Sequence, residues 1–138
     1  MTDVFISSAR VFLAGYTLSV SWDVEYTDEF FAWWEALSES DQRAIDFAVE
    51  VLEREGPSLG RPLIDTIRSS RHSNMKELRP LGGSLRVLFA FDPRRIAILL
   101  VGGDKAEQWN AWYERVIPVA DALYDTHLET LASEGELL

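Results

Sequence analysis

Lys76-Glu77-Leu78-Arg79, the turn Pro80-Leu81-Gly82-Gly83, Leu85-Arg86-Val87-Leu88-Phe89-Ala90-Phe91, the turn Asp92-Pro93-Arg94-Arg95, and Ile96-Ala97-Ile98-Leu99-Leu100-Val101 decide the fold of this chain. The last two runs are apolar and rich in β-branched and aromatic residues, and a short Asp-Pro turn joins them. That combination predicts an antiparallel hairpin. Residues 76–79 supply a third strand ahead of it, and the stretch closes at Gly102-Gly103-Asp104-Lys105. Cations recur along and at the ends of these strands.

Upstream, residues 18–26 alternate, with Leu18, Val20, Trp22, Val24 and Tyr26 on one face and Ser19, Ser21, Asp23 and Glu25 on the other. The period of two predicts a half-buried strand. Thr27-Asp28-Glu29 then offers an oxygen-bearing cap and two carboxylates for the first turn of a helix. Phe30, Phe31, Trp33, Trp34 and Leu37 make that helix aromatic, and core packing is the expected use of the rings. Ser38-Glu39-Ser40-Asp41 ends it and caps a second helix. There Ile45, Ala48, Val49 and Leu52 keep a buried spacing, while Asp46, Glu50 and Glu53 are expected to face water. Gly56-Pro57 stops this helix, and the short joint predicts a helical hairpin. Residues 57–75 read as a loop, anchored by Leu63, Ile64 and Ile67.

After Lys105 helical spacing returns from Trp109 to Leu131 for more than twenty residues, and Pro118 is expected to kink or split the helix. The resulting order is strand, helix, helix, three strands, helix. It predicts an α+β fold: a small antiparallel-rich sheet packed on one side, with an N-terminal helical hairpin on that side and a C-terminal helix. A single domain over residues 22–133 is expected, with an extension of open role at 1–21 and a tail at 134–138. There is no internal repeat and no linker that would mark a second domain.

With 138 residues the chain is long enough for one real core. It has no cysteine, which removes disulfides, thiolate metal sites and thiol nucleophiles from consideration. Residues 1–16 are apolar but too short to span a membrane, and Asp3 and Arg10 do not suit a signal peptide. The expectation is a cytoplasmic protein without a membrane partner. The net charge of −10 argues against a uniformly basic nucleic-acid binder. Its distribution is uneven. Residues 61–105 hold nine cations and four anions, a local net of +5, whereas the rest of the chain carries four cations and nineteen anions. A positive face on an acidic body is the expected result.

The sequence lacks a P-loop, a Gly-x-Gly-x-x-Gly turn and a Gly-x-Ser-x-Gly elbow. His72 and His127 have no metal-ligand spacing between them, so neither a metal nor a cofactor is expected. The group that remains is His72, Lys76, Arg79, Arg86 and Lys105. If the three strands are neighbours, Arg79 and Arg86 flank one turn and Lys105 ends the last strand. Guanidinium groups match phosphate bidentately and lysine adds a compact charge, so the set can hold a scissile phosphate. His72, or failing it Lys76, is the group expected to move a proton. The plainer reading pairs Arg79 and Arg86 with Glu77 and Asp104.

The Glu77-Leu78-Arg79 run, the Leu85-Arg86-Val87-Leu88-Phe89 strand and the Gly103-Asp104-Lys105 corner together resemble the RelE/HigB-type toxins of bacterial toxin–antitoxin systems. More narrowly, they resemble the phage-derived Gp49-like branch. The resemblance runs over residues 22–131 and implies a RelE/ParE-like fold. It also implies a metal-independent, ribosome-dependent mRNA endoribonuclease, an mRNA interferase that inhibits translation. Arg79 and Arg86 would then grip phosphate, and Lys105 would stand where the family has a cation at the end of the last strand. Lys76 lies one place from the family's strand lysine. The implied partners are messenger on the ribosome and a cognate antitoxin of helix-turn-helix type, with no small-molecule cofactor. Three departures stand out: the chain is acidic, a lysine pair found in some relatives is here Lys76 and Glu77, and the family's aromatic after the corner is here Trp109 or Tyr113, both of which also fit the helix core. Trp109 and Tyr113, which follow the Gly-Asp-Lys corner, are read as helix core. The same fold serves ParE-like toxins that bind DNA gyrase and cleave nothing, and a degenerate copy keeping only antitoxin binding is a further alternative.

Overall fold

The computed structural model describes residues 21–106 and 109–135. Most of the expected extension at 1–21, the start of the alternating stretch at 18–20 and the last three residues of the tail lie outside them. The elements run β1 (Val24–Tyr26), α1 (Asp28–Glu35), α2 (Glu39–Glu55), β2 (Ile64–Thr66), β3 (Lys76–Leu78), β4 (Leu85–Phe91), β5 (Ala97–Asp104) and α3 (Trp109–Ser133). The five strands form one sheet in the order β1-β5-β4-β3-β2. Only β1 is parallel to its neighbour; the other pairs are antiparallel.

The caps act as the sequence predicts. The Thr27 hydroxyl accepts the Phe30 N–H and donates to the Leu100 carbonyl at 2.6 Å, which ties the start of α1 to β5. Ser38 accepts the Asp41 N–H and starts α2. The Asp92 carboxylate holds the β4–β5 turn by accepting the N–H groups of Arg94 and Ile96. The rings of α1 pack inward: Phe30 and Trp34 are buried, and Tyr26 stacks on Phe31.

Four local expectations give way. Residues 57–75 are not all loop, because Ile64–Thr66 pairs with β3 as an edge strand. Three residues are too short to show a period, so this strand exists only through its partner. Glu53 is buried, not solvent-facing, since the segment before β1 docks there and Trp22 donates its N–H to the Glu53 carbonyl. β5 continues through Gly102 and Gly103 to Asp104. A bulge lets it pass, with Leu88 opposite Val101 and Phe89 opposite Leu99. Finally, of the two outcomes expected at Pro118 the split does not occur: α3 is one helix with Pro118 inside it. Buried side chains on both sides of the proline, from Trp112 and Val116 to Ala120 and Tyr124, hold it on the sheet despite the lost hydrogen bond.

The sheet is covered on both faces, not on one. Val87, Phe89, Ala97 and Leu99 meet α1 and α2, while Leu88, Ala90, Ile98 and Leu100 meet α3. Strands buried on both sides read as continuous apolar runs, as 85–91 and 96–101 do. Each fully buried large side chain adds about 1.5–3 kcal/mol, which explains why the two central strands dominate the fold.

Candidate functional site

Side chains alternate across a strand, so β3 divides its charges between the two faces. Lys76 and Leu78 face the helical hairpin, opposite Phe89 and Val87; Glu77 faces α3, opposite Leu88. Arg79 shares the side of Glu77. Arg86 on β4 also faces α3, and its register partner is Gly103, which has no side chain to crowd it. At the open end of the hairpin the Lys105 N–H donates to the Ser84 carbonyl, and Ser84 donates its hydroxyl to Asp104. This closure brings Lys105 into the field of Arg86 and Arg79.

The cluster centres on Glu77, which is only 6% exposed. Its carboxylate lies 3.8 Å from Arg79 Nη1 and 3.9 Å from Arg86 Nε, and accepts the Tyr113 hydroxyl at 2.6 Å. Arg79 also reaches Asp65 on the edge strand at 3.4 Å. Arg86 is 6% exposed and donates Nη1 to the carbonyls of Leu85 and Gly83, whereas its buried Nε has no hydrogen-bond partner. An uncommitted buried donor calls for a reason. Lys105 is 8% exposed; burial, followed by Arg86 and Arg79, pulls its pKa below the usual lysine value, and Glu77 partly offsets this. Burial and the bond to Glu77 push the Tyr113 hydroxyl up to about 12, so it remains a donor at neutral pH.

Arg79, Arg86 and Lys105 are thus brought together, and Lys76 and His72 are not. Lys76 is on the opposite face. His72 faces Asp125 at 2.8 Å and packs edge-on against Tyr124. Asp125 is twelve residues further along α3 than Tyr113, or about 18 Å at helical rise. The plainer sequence reading, which paired Arg79 and Arg86 with Glu77, holds, but it did not foresee that Glu77 would be the centre of the cluster or that the Tyr113 hydroxyl would join it. Tyr113 does pack, edge-on against Trp112, but its hydroxyl enters the cation cluster. The alternation of Glu77 with Lys76 and Leu78 already marked it as the β3 residue facing away from the hairpin core. His127, on α3, is tied to buried Asp92 at 2.8 Å.

A cleft of about 490 Å³ opens beside the cluster, between the β2–β3 edge and α3. Arg61, Arg68, Arg79, Asp65 and Tyr113 are among the residues that line it. Among the described residues no group of three or more His, Asp or Glu side chains could hold a metal ion, and no helix is long and apolar enough to cross a membrane.

Comparison with known proteins adds to this geometry. The model of the family described as phage derived protein Gp49-like matches residues 32–125. The chain is similar to two Mycobacterium tuberculosis proteins. It is 54% identical over 89 residues to "Putative toxin HigB3", covering 64% of this chain and 78% of that protein. It is 47% identical over 113 residues to "Putative toxin HigB2", covering 80% of this chain and 56% of that protein. Among solved structures, the archaeal RelE-RelB complex from Pyrococcus horikoshii matches with a TM-score of 0.50 at 16% identity, over 62% of this chain and 97% of that one. That likeness is one of fold, and the α+β, RelE-like architecture expected from the sequence is the one found.

Proposed function

The chain belongs to the phage derived Gp49-like family, as a HigB-type toxin of the RelE/HigB class, and from this membership we propose that it acts by cutting messenger RNA on the ribosome. The observation that carries the reading is the convergence of Arg79, Arg86 and Lys105 on one face around Glu77 and Tyr113. Three cations and a carboxylate suit metal-independent transesterification. The ribose 2′-hydroxyl attacks the adjacent phosphorus and gives up its proton. The bond to the 5′ oxygen breaks, leaving a cyclic phosphate and a 5′-hydroxyl. Arg79 and Arg86 are suited to stabilise the charge that builds on the phosphate oxygens. Their separations from Glu77 are longer than hydrogen bonds, and Arg79, the more exposed of the two, is the one an incoming phosphate meets first. Glu77 offers an oxygen for the departing proton. Lys105, whose hold on its own proton is weakened, is suited to protonate the leaving 5′ oxygen.

The proposed partner in the cell is a cognate antitoxin of helix-turn-helix type, and the proposed compartment is the cytoplasm, where ribosomes are. Primer extension on a reporter message in a translation extract tests the reading, with Arg86→Ala and the more exposed Arg79→Ala beside the parent. Expected are cuts within codons that require ribosomes and fall about a hundredfold or more in Arg86→Ala. An intact message with the parent protein would overturn it. One observation favours a second reading: Arg86 and Lys105 are almost fully buried, which suits a scaffold under a binding surface. In that reading the toxin binds gyrase, and loss of supercoiling replaces loss of message.

A further inference from the structure

The cleft beside the cluster does not end at Arg79. It shares Ser69, Tyr113 and Ile117 with a second hollow of about 580 Å³ that continues along α3 to Arg71 and Asp121. The two form one elongated trough. One wall is the segment 61–71 and carries Arg61, Arg68 and Arg71. The other is α3, which presents the Tyr113 ring and then Ile117 and Pro118 over about 7.5 Å of helix. Guanidinium groups facing a ring and an apolar surface form the pairing that a single nucleic-acid strand uses, phosphates on one side and bases on the other.

The carboxylates in the trough are mostly engaged. Asp65 accepts from Arg61 and from the Thr66 N–H, and Asp121 accepts from the Ser70 hydroxyl and the Arg71 N–H. The Arg71 guanidinium donates to Asp125, one turn beyond Asp121 on α3. Glu114, on α3, is the exposed anion of the trough. Arg68 is exposed and has no carboxylate partner among the described residues. Outside residues 61–105 the chain carries nineteen anions against four cations, so a polyanion is repelled elsewhere and admitted on this face.

We propose that this trough is the track for the RNA strand flanking the cut, with Arg68 as its exposed phosphate contact and Arg61 and Arg71 on either side. The inference rests on the RNA-cutting reading and extends it beyond the reacting cluster. The probe is a fluorescent single-stranded RNA of about ten nucleotides, 2′-O-methylated so that it cannot be cut, titrated into the purified full chain at several salt concentrations. Arg68→Ala is expected to weaken binding roughly three- to tenfold and to flatten the salt dependence by about 0.7 of a logarithmic unit per decade, with Arg68→Lys close to the parent. Arg68 is exposed and has no carboxylate partner among the described residues, so its loss is expected to leave the fold intact, which circular dichroism checks. Unchanged affinity and salt slope in Arg68→Ala and in Arg68→Ala/Arg71→Ala would overturn the track. If the parent cuts messages while these variants bind like the parent, the track alone is lost. If the parent binds the probe through Arg68 and cuts nothing, the track stands and the cutting reading falls. No binding and no cutting removes both.

Discussion

Glu77 is the counter-charge on which three cations depend. It lies within 4 Å of both arginines, and it is the one group beside Asp104 that draws the Lys105 pKa upward against burial, Arg86 and Arg79. Glu77→Gln therefore lets Lys105 titrate at a lower pH than in the parent, which a lysine side-chain NMR titration reads directly. The sign for stability follows. A lysine whose folded pKa is depressed costs the fold stability while it is charged, so stability rises as pH climbs through that pKa and levels near the unfolded value of about 10.4. In Glu77→Gln the rise begins at lower pH. An unchanged Lys105 titration would place Glu77 outside the cluster's electrostatics. Arg79, Arg86 and Lys105 were all legible as a set from their positions around two turns. That His72 lies apart from that set was not, because its loop carries it to the far part of α3.

At the scale of elements, β5 is gripped between two tryptophans. A Cβ at Gly102 would lie 2.2 Å from Trp33 Cζ3 on the hairpin side, and one at Gly103 would lie 2.5 Å from Trp112 Nε1 on the α3 side. The consecutive glycines are therefore a strand thinned for two helices; the sequence alone suggested a corner. Gly102→Ala and Gly103→Ala are each expected to lose about 1–3 kcal/mol in denaturant unfolding. Gly103→Ala also disturbs Arg86, its register partner, and with it any RNA cleavage. Pro118 gives the opposite expectation. It is exposed in an unbroken helix and removes one backbone hydrogen bond, so Pro118→Ala is expected to raise stability by about 1–3 kcal/mol in the same measurement. A loss of stability would mean that the helix bends to fit its proline.

For the molecule as a whole, α3 is fastened to the sheet at both ends by polar ties. Tyr113 bonds Glu77 at one end, while His72 with Asp125 and His127 with Asp92 hold the other. The Asp92 side chain is fully buried. Burial raises its pKa, but hydrogen bonds from Arg94, His127 and the Ile96 N–H outweigh that and hold it below the ordinary carboxylate value. A depressed carboxylate pKa means stability that is complete above the unfolded value of about 3.9 and lost as pH falls through the folded one. Acid unfolding below about pH 4 is expected to be shallower in Asp92→Asn than in the parent. At neutral pH the variant is expected to be less stable by about 3 kcal/mol, because Arg94 and His127 lose their shared acceptor. Equal stability at pH 7 would remove Asp92 as the fastening of α3.

The order of strands and helices apart from the edge strand, the caps at Thr27 and Ser38, the hairpin and the family resemblance were all determined by the sequence. Each depends on residues near one another in the chain: a period, a turn or a short motif. The tertiary structure decided the rest. It alone made an edge strand of Ile64–Thr66, kept α3 whole through Pro118, covered the second face of the sheet and buried Glu53. It alone carried His72 away from Arg79, Arg86 and Lys105 and put Tyr113 among them. These outcomes turn on which face of a strand meets which helix many residues away, and no local pattern encodes that meeting. Packing between distant segments does.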